Sequence, residues 1–495
     1  MKISIIKKPI FILLFWLVVW HVASLVVGRE LILPSPLRAF ESLADLVMTA
    51  SFYRDVATTI SRCIIGMTLS FATGLIAALF AYRFSVVRSI MSLPVLVFKA
   101  TPVMAIILII LLSFRTSNVP VVVCFLMCFP VVYTNLLAGF DNIEKNHIEL
   151  IKFYRLNTTD KVRFVYMPSV MPQISTSLNL IAGLSWKTVV AAEVLAAPAV
   201  SMGYNLFLSK VFLQTSNLFA WIIAIVCLSL VFEKTIKYAL KVFLPKNYTK
   251  SKVVSGTKLN QVTSDAEAVS GAKLHKVTSD AEAVSGAKLN QITSDAEVKA
   301  PEIQITGLSK NFGEKVVFSD FSESFQGAQT TAIMAPSGYG KTTLLRIIAG
   351  LEKQDGGKIA GTGDTSMSYL FQEDRLLPWL NVFDNIALFL KNKLPVDEIQ
   401  AQTTKMLEVL ELSKDAHELP GELSGGMKHR VAIGRAFLYP AQILLLDEPF
   451  KGLDAELKER VISSLKQDYM ENKTVILVTH NKEDADRLSG RQVVL

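Results

Sequence analysis

The sequence predicts a multi-domain chain: an all-α polytopic membrane domain of about six spans, then an α/β domain built around a phosphate-binding P-loop. Three observations carry this. The long apolar runs crowd into residues 1–250, residues 300–495 read as an ordinary soluble α/β domain, and residues 335–343 read A-P-S-G-Y-G-K-T-T between a short apolar strand and a helical run. At 495 residues the chain is too long for one compact domain. Its 51% hydrophobic and 19% charged residues and mean hydropathy of +0.40 are averages over two unlike halves.

The apolar runs place spans near 10–27, 59–81, 89–113, 119–140, 175–197 and 218–242, each near the ~20 residues that cross a bilayer. Pro94 and Pro102 interrupt the third, and Pro102 is the candidate break between a short helix and the span proper. The first run is too long for the apolar core of a signal peptide and reads as a retained span. Lys7 and Lys8, Arg83 and Arg88, the basic residues from Lys145 to Arg163, and Lys241 and Lys246 fall in alternate loops. The positive-inside rule makes those loops cytoplasmic, with both chain ends. The same rule accounts for the formal charge of +8, and no interleaving of aromatic and basic residues points to nucleic acid. Membrane lipid is the expected surrounding. Cys63, Cys124, Cys128 and Cys227 lie in apolar segments without metal-ligand spacing and read as small buried hydrophobes. Lys187 and Glu193 lie within the fifth run, where intramembrane charge marks function or a pairing partner.

Residues 254–298 hold three near-copies of a 15-residue polar unit, V-S-G-T-K-L-N-Q-V-T-S-D-A-E-A and two variants. The unit has too few apolar residues for a core and reads as a flexible tether. The expected organisation is therefore a membrane domain at 1–250, a linker at 251–300 and a nucleotide-binding domain at 301–495.

In the last of these, Pro336, Ser337, Gly338, Tyr339, Gly340, Lys341, Thr342 and Thr343 form the candidate phosphate loop. Glycine lets backbone N–H groups approach phosphates, Lys341 reaches the β/γ-phosphates, and Thr342 offers its hydroxyl to Mg²⁺. ATP with Mg²⁺ is the expected ligand pair. Ala335 stands where the motif's first glycine usually does, but the residue before Pro336 is extended, a conformation alanine accepts. Further along, I-L-L-L (443–446) reads as a buried parallel strand ending in Asp447-Glu448. Asp447 there supports Mg²⁺ and Glu448 polarises the attacking water. Ser424-Gly425-Gly426 precedes an Arg/Ala-rich helix and suits an anion at its N-terminus.

Taken in order, these motifs resemble those of the ABC ATPases. Ser424, Gly425 and Gly426 then match the signature motif, with Met427 in place of its commoner glutamine. The resemblance implies that Phe312 stacks on adenine, that Gln372 contacts Mg²⁺ and senses the permease, that Asp454 belongs to the D-loop, and that His480 is the switch histidine near the γ-phosphate. The membrane half resembles bacterial ABC import permeases. The segment from Asp141 to Pro172 is similar to their cytoplasmic coupling loop, with Glu149 at its glutamate and Met167-Pro168 at its terminal Leu-Pro. Leu150 and Ile151 replace two alanines, and Arg155 falls where glycine is usual. L-P-S-P (33–36), G-L-S-W-K-T-V-V-A-A-E-V-L (183–195) and R-L-L-P-W (375–379) resemble the nitrate/sulfonate/taurine group of importers. This resemblance implies a fused half-transporter in the bacterial inner membrane with its ATPase cytoplasmic. It further implies a second copy of the chain to complete two ATP sites, and a separate extracytoplasmic protein that delivers the cargo. The alternatives are an ABC exporter, which the short spans disfavour, and a membrane-tethered ATPase that does not translocate.

Overall fold

The computed structural model describes residues 3–243, 300–336, 338–363 and 365–495. The repeat linker and Ser337 lie outside them. The described residues fall into two compact units. One comprises 3–143 and 166–243, and the other comprises Glu144–Val165 together with 300–495.

The first unit is helical: α1 (Ile3–Val27), α2 (Pro36–Val47), α3 (Ala50–Arg83), α4 (Ser85–Ala100), α5 (Val103–Ser113) and α6 (Val119–Asp141). After the intervening segment, which holds α7 (Lys145–Phe153) and α8 (Thr158–Lys161), come α9 (Met167–Ala196), α10 (Met202–Val211) and α11 (Thr215–Phe243). Among the described residues four helices, α3, α6, α9 and α11, are long and apolar enough to cross a membrane. The α4–α5 pair makes a fifth if it counts as one span, and α1 has a shorter apolar stretch, Leu14–Val27. The expected third span is thus bent by 107°. Pro94 sits inside α4 without ending it, whereas the chain breaks at Thr101-Pro102, both extended. A proline has no N–H to give the preceding turn and disfavours helix in the residue before it. Large apolar side chains stand exposed on α1, α3, α5 and α11, among them Trp16, Phe80, Leu112 and Val231, as a lipid-facing surface requires. Cys63, Cys124 and Cys128 are buried as expected, but Cys227 is exposed on α11.

The two charges read in the fifth run part company. Lys187 is exposed, and Glu193 is fully buried. The partner of Glu193 is Arg62 on α3, at 2.6 Å. Thr59 donates to the same carboxylate (3.0 Å to Oε2), as does the Gly203 N–H at 3.2 Å. One ion pair with saturated hydrogen bonding therefore ties α3, α9 and the start of α10 together.

The second unit carries two sheets. β1 (Ile303–Phe312), β2 (Lys315–Phe325) and β4 (Gly356–Ala360) form an antiparallel sheet in the order β2-β1-β4. β3 (Thr330–Met334), β5 (Met367–Leu370), β6 (Ile443–Asp447), β7 (Thr474–Val478) and β8 (Arg491–Val494) form a parallel sheet in the order β5-β6-β7-β3-β8. Every residue of β6 and β7 is buried, which fits the unbroken apolar runs Ile443–Leu446 and Val475–Val478 within them. The helices are α12 (Lys341–Ile348), α13 (Val382–Ala387), α14 (Val396–Val409), α15 (Gly425–Leu438), α16 (Ala455–Tyr469) and α17 (Lys482–Leu488). The chain is thus a helical membrane-type domain followed by an α/β ATPase-type domain.

The buried pair generates a stability prediction. Removing one partner of a buried pair leaves an uncompensated charge and costs about 3–5 kcal/mol. Arg62→Leu or Glu193→Leu alone should therefore lower thermal stability sharply. The double variant, which buries no charge, should lose less than either single, as read by thermal unfolding of the solubilised protein.

Candidate nucleotide site

Strand register assembles the site. Ile333 of β3 pairs with Val478 of β7, which pairs in turn with Asp447 of β6, and Leu370 of β5 pairs with Leu446. The C-terminal ends of four parallel strands thus lie level, and the loops that leave them carry the candidate residues side by side. Open α/β sheets bind ligands at such carboxyl ends.

Left-handed backbone in the phosphate loop falls at Gly338 and Gly340, both with φ +89°, and not at Ala335. A Cβ on Gly340 would meet Val317 Cγ1 at 2.5 Å, so both conformation and space demand glycine there. Lys341 opens α12 with Gly340 as its N-cap. Its ammonium is folded back on its own loop, 2.6 Å from Ala335 O and 2.9 Å from Pro336 O. A cation satisfied by two neutral carbonyls is poised to exchange them for phosphate oxygens. Thr342 donates to Asp447 Oδ2 at 2.7 Å. Burial pushes the Asp447 carboxyl up to about 6, against the Thr342 hydrogen bond, with the adjacent Glu448 adding to the rise. The hydroxyl and carboxylate are hard oxygen donors on one spot, and this donor set fits Mg²⁺.

Glu448 has φ +52° and precedes Pro449, a conformation that costs energy and persists only where surroundings fix it. Its N–H donates to Val478 O at 2.9 Å, and its Oε1 lies 3.1 Å from His480 Nδ1. Both line a cleft of about 240 Å³ with Lys451, Gly452, Thr479 and Asn481. Lys341, Thr342, Asp447, Glu448 and His480 are therefore linked by strand register and direct contacts.

The other expected residues stand apart. Ser424 caps α15, accepting from the Met427 N–H at 3.3 Å. Asp454 caps α16 through the Leu457 N–H at 2.9 Å. Ser424, Gly425 and Asp454 are exposed. Gln372 is exposed on the loop after β5. Phe312 is half-exposed at the end of β1, with the Lys310 ammonium 4.7 Å from its ring centre. Pro336 and Tyr339 are exposed, and Thr343 is half-buried.

A second cluster in this unit involves the segment Glu144–Val165. Glu149 on α7 forks between two arginines: Arg346 on α12 at 3.0 Å to both carboxylate oxygens, and Arg375, just past Gln372, at 2.8 Å. The hydrogen bond from Arg346 holds the Glu149 carboxyl below the usual range, against its partial burial, and Arg375 pulls the same way. Trp379 Nε1 donates to Phe164 O at 2.6 Å, and His147 Nε2 to Leu376 O at 3.2 Å. The Tyr154 hydroxyl donates to Tyr369 O at 3.3 Å, and Lys391 pairs with Asp160 at 2.6 Å. Leu150 and Ile151 are buried, so their bulk fills the contact. Arg155 has φ +49° at the end of α7, which explains why glycine suits that position. Sequence reasoning found Glu149 and the R-L-L-P-W run but not that they meet. It missed Arg346 altogether, because an arginine on an amphipathic helix carries no motif.

Comparison with known proteins bears on both halves. Residues 318–451 match the family model described as ABC transporter. Residues 70–243 match that of the binding-protein-dependent transport system inner membrane component. The chain therefore fuses a permease-type domain to an ABC ATPase domain. Over 209 residues it is 42% identical to the sulfate/thiosulfate import ATP-binding protein CysA of Escherichia coli (strain K12), a match covering 39% of this chain and 57% of that one. The CysA of Salmonella typhi is 39% identical over 208 residues, with the same coverage. The chain thus spans 57% of the length of these curated relatives. Among solved structures, the dimeric structure of MJ0796, a bacterial ABC transporter cassette, is 28% identical with a TM-score of 0.36, covering 39% of this chain and 94% of that chain.

The phosphate loop makes a sharp prediction. In Gly340→Ala the added Cβ meets Val317 and the backbone is strained, so ATP affinity should fall by about tenfold or more, equivalent to ~1.4 kcal/mol. Binding of a fluorescent ATP analogue to the folded variant checks it, and wild-type affinity would remove the loop from the site.

Proposed function

We propose that this chain is one half of an ATP-driven importer of the nitrate/sulfonate/taurine type. The observation that carries the reading is the Glu149 fork. A segment that lies, in sequence, between two apolar helices is bound to the helix that follows the phosphate loop and to the loop that carries Gln372. Residues 1–250 form the permease, 251–300 the tether and 301–495 the ATPase, which faces the cytoplasm of a bacterial inner membrane. A homodimer supplies the second half, and a separate extracytoplasmic binding protein delivers a small solute such as nitrate, a sulfonate or taurine. The quoted permease and R-L-L-P-W motifs support that group. The similarity to sulfate/thiosulfate import proteins keeps inorganic sulfur oxyanions within it.

Within the ATP site each residue has a task. Backbone N–H groups of the loop from Pro336 to Thr343, with Ser337, Gly338 and Gly340, bind the phosphates beside the Lys341 ammonium. Phe312 offers its open ring face to adenine. Thr342 and Asp447, with Gln372, would hold Mg²⁺, which would supply positive charge beside the phosphates. Glu448 holds and polarises the attacking water, and His480, on its carboxylate, fixes the orientation of both. Ser424, Gly425 and Asp454 stand exposed in the single chain, with Gly426 half-buried beside them; together they serve the ATP of the second copy.

Glu448→Gln should bind ATP and hydrolyse it about 10²-fold more slowly, because Lys341 and Asp447 remain. Near-normal turnover of the reconstituted variant would sink the assignment.

Glu149→Arg sets a third guanidinium against Arg346 and Arg375. Basal ATPase should persist, since no ATP ligand changes, while stimulation by loaded binding protein and solute uptake fall together. Hydrolysis and uptake measured on the same proteoliposomes decide it, and unchanged coupling would detach this segment from the mechanism.

A further inference from the structure

The strained turn at Glu448 is fixed on one side by the Val478 carbonyl. On the other side it is held by a residue that no motif reading singled out. His429, in the second turn of α15, is buried. Its Nε2 lies 2.9 Å from the carbonyl of Pro449, the residue after Glu448. Its Nδ1 lies 2.8 Å from Asp374 Oδ1, in the loop that carries Gln372. Both partners are acceptors, so the ring makes both bonds only with a hydrogen on each nitrogen. The same loop is gripped a second time from α15: Arg435 donates to the Asp374 and Arg375 carbonyls at 2.7 and 2.9 Å. Arg375 is in turn one of the two arginines that bind Glu149.

We infer that His429 is a positioning residue for hydrolysis: it pins the Glu448–Pro449 turn to the Gln372 loop, so that the aim of the Glu448 carboxylate follows the position of that loop. This rests on the proposed role of Glu448 as the group that polarises water. The physical ground is that a left-handed, pre-proline glutamate does not hold its conformation unaided. The bond to Pro449 O is the one that constrains the peptide after it. His429 touches no nucleotide in this scheme, so its loss should act on turnover and leave ATP binding alone.

The test is a pair of variants of the full chain in proteoliposomes, with the wild type alongside. His429→Leu fills the space but donates nothing. Its kcat for ATP should fall at least about tenfold, since small misplacements of a catalytic group cost that much or more. Its KM and thermal unfolding temperature should stay near wild type. His429→Gln, whose amide nitrogen can still donate to Pro449 O, should recover most of the rate. Wild-type kcat in His429→Leu would overturn the inference. So would a fall in kcat, ATP affinity and thermal stability together that glutamine does not rescue, because that is the mark of lost packing. If the wild type hydrolyses ATP but imports none of the solutes tried, the transport reading fails while the His429 result still stands or falls by its own ratio.

Discussion

The ion pairs of Glu149 are the constraint around which the second unit is organised. One carboxylate is shared by Arg346, on the helix that starts at Lys341, and Arg375, on the loop that starts at Gln372. Each arginine alone could be a surface charge of little consequence. Sharing one acceptor fixes their separation, and so ties the phosphate-loop helix to the Gln372 loop through a residue from a distant stretch of sequence. Leu150, Ile151 and Tyr154 on the same segment are buried and add apolar contact to these ion pairs. Coupling of two sites requires an element whose arrangement both can bias. A carboxylate forked across α12 and the loop after β5 gives those two elements one shared contact.

The chemistry at the strand ends follows a similar economy. Thr342 and Asp447 already face one another, Lys341 already bears on carbonyls of its own loop, and Glu448 already contacts His480. Each pairing stores polar groups where a phosphate, a cation and a water are expected, so ligand entry exchanges hydrogen bonds rather than creating bare charges. Raised basicity of buried Asp447 fits this, because a carboxylate starved of water gains most from a cation. Glu448 is one of nine non-glycine residues with left-handed backbone among the described residues, and there the fold works against local preference beside the strand ends. Strain of this kind collects where a side chain must be aimed.

Much of this was legible in the sequence, and the reasons differ by element. β6 announced itself because a strand buried on both faces needs continuous apolar residues. Gly338, Gly340, Lys341 and Thr342 were legible because the phosphate loop tolerates few alternatives. Pro102 marked the break before α5 because proline cannot continue a helical hydrogen-bond ladder. What stayed hidden depends on tertiary approach. Nothing about Arg62 in sequence says that it finds Glu193, 131 residues away, while Lys187, the other charge in the same run, lies on the exposed face of α9. Nothing about His429 says that it bridges Asp374 and Pro449, since a lone histidine on a helix is usually a core or surface residue. The 107° bend at α4–α5 was legible as a break but not as an angle, which packing decides.

The two Glu–Arg contacts differ in burial, and so in what separating them costs. Arg62 and Glu193 are 10% and 0% exposed, and every oxygen of the carboxylate is engaged. Opening that pair would strand charges in an apolar medium, so its free-energy cost places it outside any cycle that must turn over. Glu149, Arg346 and Arg375 are 30%, 22% and 8% exposed. Water and salt can reach Glu149 and Arg346, so parting those two leaves less charge stranded than parting Arg62 from Glu193, whereas Arg375 stays buried and keeps a cost of the other kind. Burial, rather than chemistry, sets how much the separated state costs.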